Sequence, residues 1–140
     1  MELDSKDMLI LEVLKENSRC SVKEISKKTR IRPSTVHQRL KLLVKNKVIE
    51  KFTVKLNDTI IREKFIVFML VKGGTGEYLD KSVVNSSRVK EIFGITGEYD
   101  LLVKMKFSDV ERFNEFILNF RGKKGITSTM TMVATAKIKE

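Results

Sequence analysis

The chain has 140 residues, 41% of them apolar, and its 28 lysines and arginines outnumber its 18 aspartates and glutamates, giving a formal net charge of +10. This composition excludes wholesale disorder, and the length suits one ordinary domain or two small ones. The longest apolar run, Phe65 to Val71, is too short for a transmembrane helix, and the acidic start is unlike a signal peptide. A single cysteine and a single histidine exclude a disulfide framework and the usual metal sites, so we expect a cytoplasmic protein without metal or cofactor.

The beginning of the chain predicts two short capped helices. Asp4 is placed to cap the first helix, and Ser21 with Glu24 forms a capping box that opens a second helix through Lys28. The lone cysteine, Cys20, precedes the second helix and is expected to be a small buried residue. The buried face of the first helix is expected to contain Met8, Ile10, Leu11 and Leu14.

A third helix and a strand follow. Pro33, the only proline, suits the first turn of a helix that runs to about Lys45, because its missing N–H has no helical partner there. The four-residue connection 29–32 is typical of a helix-turn-helix. The segment 48–56 has the composition of a strand. Residues 1–56 are therefore predicted to form one small helix-turn-helix domain.

The remaining residues predict a linker and a small α+β domain. The polar stretch 57–64 is the linker, and the strand 65–72 after it is apolar on both faces. The further elements are, in order, the turn GGTGEY with a helix ending near Ser87, strands over 89–95 and 101–107 joined by the turn 96–100, a helix, and an alternating strand over 126–135. Ser108 and Glu111 form the capping box that opens the last helix. The order β-α-β-β-α-β predicts a ferredoxin-like domain over 65–140.

The strand 65–72 also predicts self-association. In a split βαβ sheet the helices cover one face only, so the second apolar face of this strand needs another cover. A second copy of the same sheet would supply it, which makes a homodimer the economical hypothesis.

The positive charge is confined to one segment. Between Arg19 and Lys55 the chain has twelve lysines and arginines but only two acidic residues, so this segment holds the entire excess. A compact positive region attracts polyanions, and nucleic acid is the commonest such partner. A solvated basic face without a partner is the plain alternative. An anionic membrane is a weaker rival, because turn signals interrupt the basic residues and they do not line one long amphipathic helix.

The third helix has the two surfaces that a recognition helix needs. Its apolar stripe is expected to contain Val36, Leu40, Leu43 and Val44. The candidate DNA-binding residues lie before this helix, on its opposite surface and at its edges: Arg32, Ser34, Thr35, His37, Gln38, Arg39, Lys41 and Lys45. Gln38 can bond adenine in the bidentate manner, Ser34 and Thr35 suit base or phosphate, and Arg32, Lys41 and Lys45 suit phosphate. Two residues have alternative interpretations. His37 is also consistent with an ordinary surface residue, and Leu42 with a contact either to a thymine methyl or to the following strand.

Two segments and one turn carry a family resemblance. LDSKDMLILEVLKENSRCSVKEISKKT and RPSTVHQRLKLLVKNKVIEKFTV resemble the winged helix-turn-helix of the leucine-responsive regulatory protein and asparagine-synthesis regulator (Lrp/AsnC, feast/famine) family. GEYDLLVK, at 97–104, resembles a turn of its ligand-sensing domain. The chain departs from the family where Arg30 and Lys47 replace usual glycines and where Arg32 replaces the serine expected as helix cap. We expect Asn46 to take the left-handed position after the third helix instead.

The resemblance implies a prokaryotic transcription regulator that is not an enzyme. It implies dimers formed through the βαββαβ domains, which often stack further into octamers. It also implies pseudo-palindromic double-stranded DNA sites bound by paired helix-turn-helix units. It also implies an amino-acid effector in some members, near the residues Gly97, Glu98, Tyr99, Asp100, Thr127, Thr129 and Thr131. A tight turn with exposed N–H groups and a carboxylate can hold both charged ends of an amino acid, although it can also simply join two strands.

Two other function classes are weighed against this one. A largely non-specific architectural chromatin protein would use the same basic surface, but plain lysines would suffice for coating DNA. An enzyme is not supported, because the sequence shows no nucleophile–base pair and no metal-spaced cluster. The glycines of GGTG (Gly73, Gly74 and Gly76) lack the lysine and spacing of a phosphate-binding loop.

Overall fold

The computed structural model describes residues 2–73, 79, 81–121 and 125–140. The chain divides into two compact units, Met1–Lys55 and Leu56–Glu140. Each unit has its own cluster of buried apolar side chains, so each is described by itself.

The N-terminal unit consists of three helices around a small core. They are α1 (Ser5–Glu16), α2 (Val22–Thr29) and α3 (Pro33–Lys45). As predicted, Asp4 caps α1, Ser21 and Glu24 form the capping box of α2, and Pro33 opens α3 after Arg32, whose side chain provides no cap. The core contains Ile10, Leu14, Ile25, Ile31, Val36 and Leu43, with half-buried Cys20 packed against it.

Two residues expected in this core are instead exposed. Met8 on α1 and Val44 on α3 are each 46% exposed. On α1 the buried positions are Asp7, Ile10 and Leu14, and Met8 lies a full 100° around the helix from Asp7. The buried stripe of each helix is therefore narrower than the apolar pattern suggested.

The prediction of a strand over 48–56 is wrong for the single chain. This segment contains no strand, because a strand requires cross-strand pairing and it has no pairing partner among the described residues. A hydrogen bond from Ser18 Oγ to the Thr53 carbonyl (3.2 Å) holds it near the end of α1. Phe52 and Val54 are 56% and 65% exposed.

The C-terminal unit has the predicted ferredoxin-like order. Its elements are β1 (Phe65–Gly73), α4 (Lys81–Val84), β2 (Val89–Gly94), β3 (Leu101–Phe107), α5 (Val110–Arg121) and β4 (Ile126–Val133). The strands form one antiparallel sheet in the order β2-β3-β1-β4. The α4 helix ends before the predicted Ser87, where Ser86 Oγ accepts a hydrogen bond from the Arg88 N–H. The turn predicted at 73–78 lies outside the described residues except for Gly73.

The cap of α5 is Asp109, and not the predicted pair of Ser108 with Glu111. Asp109 Oδ1 accepts the Arg112 backbone N–H (2.9 Å), and Ser108 Oγ donates to Asp109 Oδ2 (2.6 Å). The Ser108 hydroxyl and the Arg112 N–H hold the pKa of Asp109 below its ordinary value. A carboxylate is the better cap because it also complements the positive end of the helix dipole.

The two faces of the sheet differ. Val67, Met69 and Val71 of β1 lie on the helix-covered face, where they form the core together with Val103, Met105, Phe107, Phe113, Ile117 and Phe120. The other face, called the open face below, carries Phe68, Leu70, Phe93, Leu102, Met130 and Met132, which the strand register places side by side. Phe93, Met130 and Met132 are 50%, 47% and 42% exposed.

A network of ion pairs closes one end of the open face. Lys106 and Asp58 are both 7% exposed, and Lys106 Nζ lies 3.0 Å from each oxygen of Asp58, which Lys137 also contacts. Glu140 Oε1 lies 2.7 Å from the Nζ atoms of both Lys104 and Lys106. The segment predicted as a linker, 57–64, is thus tied through Asp58 to the ferredoxin-like sheet. The Lys104 ammonium, followed by that of Lys106, lowers the pKa of Glu140 from 4.5 to about 2.

Glu140→Gln is expected to destabilise the C-terminal unit by about 1 kcal/mol at pH 7, a value that allows for solvent screening of a partly exposed side chain. Because the folded pKa lies below the ordinary value, the contribution of Glu140 is fully present above pH 4.5 and is lost as the pH falls toward 2. The variant should therefore lose less stability than the parent between pH 5 and 2.

Urea unfolding monitored by tyrosine fluorescence measures this effect, because both tyrosines, Tyr78 and Tyr99, lie in the C-terminal unit. Glu98→Gln is the matched control, since Glu98 is exposed and makes none of these contacts. Equal acid sensitivity of the parent and Glu140→Gln would contradict the assignment.

Candidate nucleic-acid interface and effector site

The outward surface of α3 is polar and open to solvent. Val36 and Leu43 are completely buried and fix the orientation of the helix on the core. The predicted contact residues that the structure leaves exposed are Arg32, Ser34, His37, Gln38, Lys41 and Lys45, while Thr35 and Arg39 are half-buried. Leu42 is also exposed. With the orientation of α3 fixed from behind, its short polar side chains are free to meet a groove of DNA.

Arg39 is engaged within the chain. Its Nη1 atom lies 2.9 Å from Asp7 Oδ1 and 2.7 Å from Asp4 Oδ1, so it ties α3 to the first turn of α1. These hydrogen bonds, that of Asp7 first, raise the pKa of Arg39 above its ordinary value. Asp7 is 2% exposed and also completes the capping box of α1 with Asp4. The sequence alone could not show that Arg39, thirty-two positions after Asp7, binds its carboxylate.

Arg39→Met is expected to lower the melting temperature of the N-terminal unit by about 5 °C, because the buried Asp7 carboxylate loses its charged partner. Circular dichroism at 222 nm follows the helices. Lys41→Met is the matched control, since Lys41 is an exposed cation on the same helix.

Asp7→Asn in the Arg39→Met background should recover part of the loss, because the uncompensated charge is then removed. If Arg39→Met melts at the same temperature as Lys41→Met, the Arg39–Asp7 contact does not stabilise the unit.

Left-handed backbone at a cationic residue follows the C-terminal end of each of α2 and α3. Arg30, in the turn between the helices, has φ of 59°, and Lys47, after α3, has φ of 57°. Asn46 has φ of −87°, so the expectation that it takes the left-handed position is wrong. Lys47 donates its N–H to the Val44 carbonyl and Val48 donates to the Leu43 carbonyl, which is the Schellman pattern with Lys47 at the left-handed residue.

The predicted effector turn, 96–100, folds against the end of β1. The Asp100 N–H donates to the Val71 carbonyl, and Asp100 Oδ2 accepts the Gly73 N–H, both at 2.9 Å. Gly97 has φ of 128°, which favours glycine. Gly97 and Glu98 are exposed, whereas Tyr99 is half-buried. The Asp100 carboxylate thus accepts a hydrogen bond from the end of β1 as well as forming part of the turn.

The start of β4 meets the same end of β1 from the other side. Thr127 Oγ1 donates to the Lys72 carbonyl (3.1 Å), so Thr127 and the 96–100 turn lie on the two flanks of one strand end. Thr129 and Thr131 pair with Val71 and Met69 and lie half-buried on the helix-covered face. Of the predicted effector residues, Gly97–Asp100 and Thr127 therefore lie on the two sides of one strand end. Thr129 and Thr131 lie farther along the sheet.

Comparison with known proteins identifies the family. Residues 3–50 match the model of a winged helix-turn-helix DNA-binding domain. Residues 65–140, more than half of the chain, match the model of the Lrp/AsnC ligand binding domain. The chain belongs to the Lrp/AsnC family.

Several Lrp/AsnC relatives match along almost their whole length. The HTH-type transcriptional regulator FL11 from Pyrococcus furiosus is 32% identical, and the alignment covers 99% of this chain and 93% of the relative. The solved structure of transcriptional regulator NMB0573 from Neisseria meningitidis, a complex with L-Met, superposes with a TM-score of 0.93 at 26% identity, covering 99% and 94% of the two chains. LrpC of B. subtilis superposes with a TM-score of 0.90 at 21% identity, covering 99% of each chain.

Membership of the Lrp/AsnC family establishes the general function of the chain. The chain is a transcriptional regulator with a helix-turn-helix DNA-binding domain and an Lrp/AsnC ligand-binding domain, and its relatives are named as regulators rather than enzymes. Across residues 2–73, 79, 81–121 and 125–140, no helix is long and apolar enough to cross a membrane. The same described part of the chain contains no group of three His, Cys, Asp or Glu side chains that could hold a metal ion.

Proposed function

We propose that this regulator binds specific pseudo-palindromic DNA sites as a homodimer or a higher oligomer and that an amino acid modulates it. The observation that carries the proposal is the open polar surface of α3. It lies on a helix fixed by buried Val36 and Leu43, within the segment that holds the whole excess of positive charge. Non-specific electrostatic binding to DNA would require neither the fixed orientation of α3 nor its amide and hydroxyl groups.

The contacts divide by chemistry. Gln38 reads a base edge from the exposed centre of α3, and Ser34 and Thr35 serve base or phosphate near its N-terminus. Arg32, Lys41 and Lys45 bind phosphates, and His37 lies at the rim of the contact. Arg39 acts as a positioning residue, since Asp4 and Asp7 already occupy its guanidinium.

The open face supports the dimer. Its exposed Phe93, Met130 and Met132 continue the apolar surface of Phe68 and Leu70, and no helix of the described residues covers them. Two copies of this face would bury one another around a two-fold axis, as in most homodimers. The unpaired segment 48–56, with exposed Phe52 and Val54, offers a second edge for self-association.

The end of β1 supports the effector site. The exposed backbone at Gly97 and Glu98 can meet the carboxylate of an amino acid, and the Glu98 side chain can meet its ammonium group. Thr127 flanks the same strand end, and Tyr99, Asp100, Thr129 and Thr131 complete the proposed surroundings. The L-Met complex of the Neisseria regulator supports an amino acid as the class of ligand.

Selection of bound duplexes from a random pool, repeated without and with each of the twenty amino acids, tests this function. We expect an enriched pseudo-palindromic motif and at least one amino acid that changes its enrichment. A pool that stays random, with uniform protection of long DNA, would instead favour the architectural chromatin protein. A motif that no amino acid affects would remove the effector from the proposal.

A further inference from the structure

Three non-glycine residues of the described chain have left-handed backbone, and all three are cations: Arg30, Lys47 and Arg62. Arg30 and Lys47 bracket α3, one before it and one after it. Residues with a Cβ occupy this conformation at a cost of about 1 kcal/mol or more, which glycine avoids. A cation at such a position is therefore not explained by backbone preference.

The neighbouring contacts force the conformation of Arg30. Ile31, directly after it, is 8% exposed in the core, and Ser26 Oγ donates to the Ile31 carbonyl (2.6 Å). Thr29 Oγ1 donates to the Ile25 carbonyl (2.8 Å) and closes α2 on the other side of Arg30. The turn is fixed on both sides, so Arg30 cannot relax into an ordinary conformation.

Lys47 is held in the same way. Val48 and Ile49 both donate their N–H groups to the Leu43 carbonyl, and both side chains pack against the core. The reversal after α3 must therefore occur at Lys47, whose N–H donates to the Val44 carbonyl.

Neither side chain contributes an interaction that offsets this cost. Arg30 and Lys47 are both exposed, and within the described part of the chain neither forms an ion pair or a side-chain hydrogen bond. Glycine would serve the fold better at both positions, so nothing in the described part of the chain accounts for a cation there.

We infer that Arg30 and Lys47 are two further phosphate contacts, one at each end of α3, an inference that rests on the proposed binding of DNA. The thirteen residues of α3 span about 20 Å, and the major groove is about 12 Å wide. A helix of this length in the groove brings its two ends beside the sugar–phosphate walls. A cation at each end meets a phosphate and positions the helix without reading bases.

The test uses the full chain with Arg30→Gly, Lys47→Gly, Arg30→Gln and Lys47→Gln, and with Arg62→Gly as the matched control. Arg62 has the same φ of 57° and the same charge but lies in the C-terminal unit. Affinity for the selected duplex and for a scrambled duplex is measured by fluorescence anisotropy from 50 to 300 mM KCl, and thermal unfolding is recorded beside it.

Each Arg30 and Lys47 variant is expected to reduce the slope of log K against log salt by about 0.9 and to weaken both duplexes about fivefold at 0.15 M, leaving their ratio unchanged. The glycine variants, including Arg62→Gly, should melt a few degrees higher, and the glutamine variants should not. Arg62→Gly should keep the parent slope.

Unchanged slopes in the Arg30 and Lys47 variants would overturn the inference while leaving the proposed function intact. An equal loss of slope in Arg62→Gly would also overturn it, because the effect would then be one of net charge. A parent chain without salt-dependent DNA binding would refute the proposed function together with this inference.

Discussion

Met130→Glu is expected to convert the proposed homodimer into monomers, with a dimer dissociation constant raised more than about hundredfold. The side chain of Met130 is 47% exposed in the single chain, so a carboxylate there is tolerated by the fold. In a dimer formed through the open face, two such carboxylates would be buried without partners, at a cost of about 3 kcal/mol or more. Sedimentation equilibrium measures the dissociation constant directly.

Leu118→Glu is the matched control for this change. Leu118 lies on α5, which packs on the other face of the sheet, and it is 73% exposed. We expect Leu118→Glu to remain a dimer and Met130→Glu to lose most of its affinity for a two-half-site duplex, since each half-site is then bound independently. A dimeric Met130→Glu would show that the open face is not the interface.

Gln38→Ala is expected to weaken binding to the selected site by about 1–3 kcal/mol, which is roughly 5- to 150-fold. Discrimination should relax at one base position in each half-site, because Ala cannot replace the bidentate amide. Affinities for the selected site and for its single-base variants measure both effects.

Lys45→Ala provides the contrasting variant on the same helix. It should weaken the selected and scrambled duplexes about equally and lower the salt slope by about one, as expected for a phosphate contact. If Gln38→Ala leaves the ratio of specific to non-specific affinity unchanged, then Gln38 does not read bases.

The starts of the helices in the N-terminal unit could be predicted because their determinants are local. The capping box of Ser21 and Glu24 lies within four residues, and Pro33 restricts its own backbone, so neither depends on distant contacts. The strand over 48–56 could not be judged in this way. Its pattern is that of a strand, but a strand exists only when another segment pairs with it.

The features of the candidate sites also fall into those that the local sequence predicts and those that depend on distant contacts. The exposed surface of α3 followed from helical periodicity, which places Ser34, Gln38 and Lys41 opposite the buried stripe. The partners of Arg39 could not be predicted, because they depend on how α1 packs against α3. The placement of Asp100 and Thr127 on the two sides of the end of β1 could not be predicted either, because it depends on the strand order of the whole sheet.

The most direct test of sequence-specific binding is the ratio of two affinities at one salt concentration. The dissociation constants of the full chain for the selected pseudo-palindromic duplex and for a scrambled duplex of the same composition are measured at 0.15 M KCl. A regulator that reads bases through α3 should bind the selected duplex at least about a thousandfold more tightly. A ratio close to one, however tight the binding, would contradict this function.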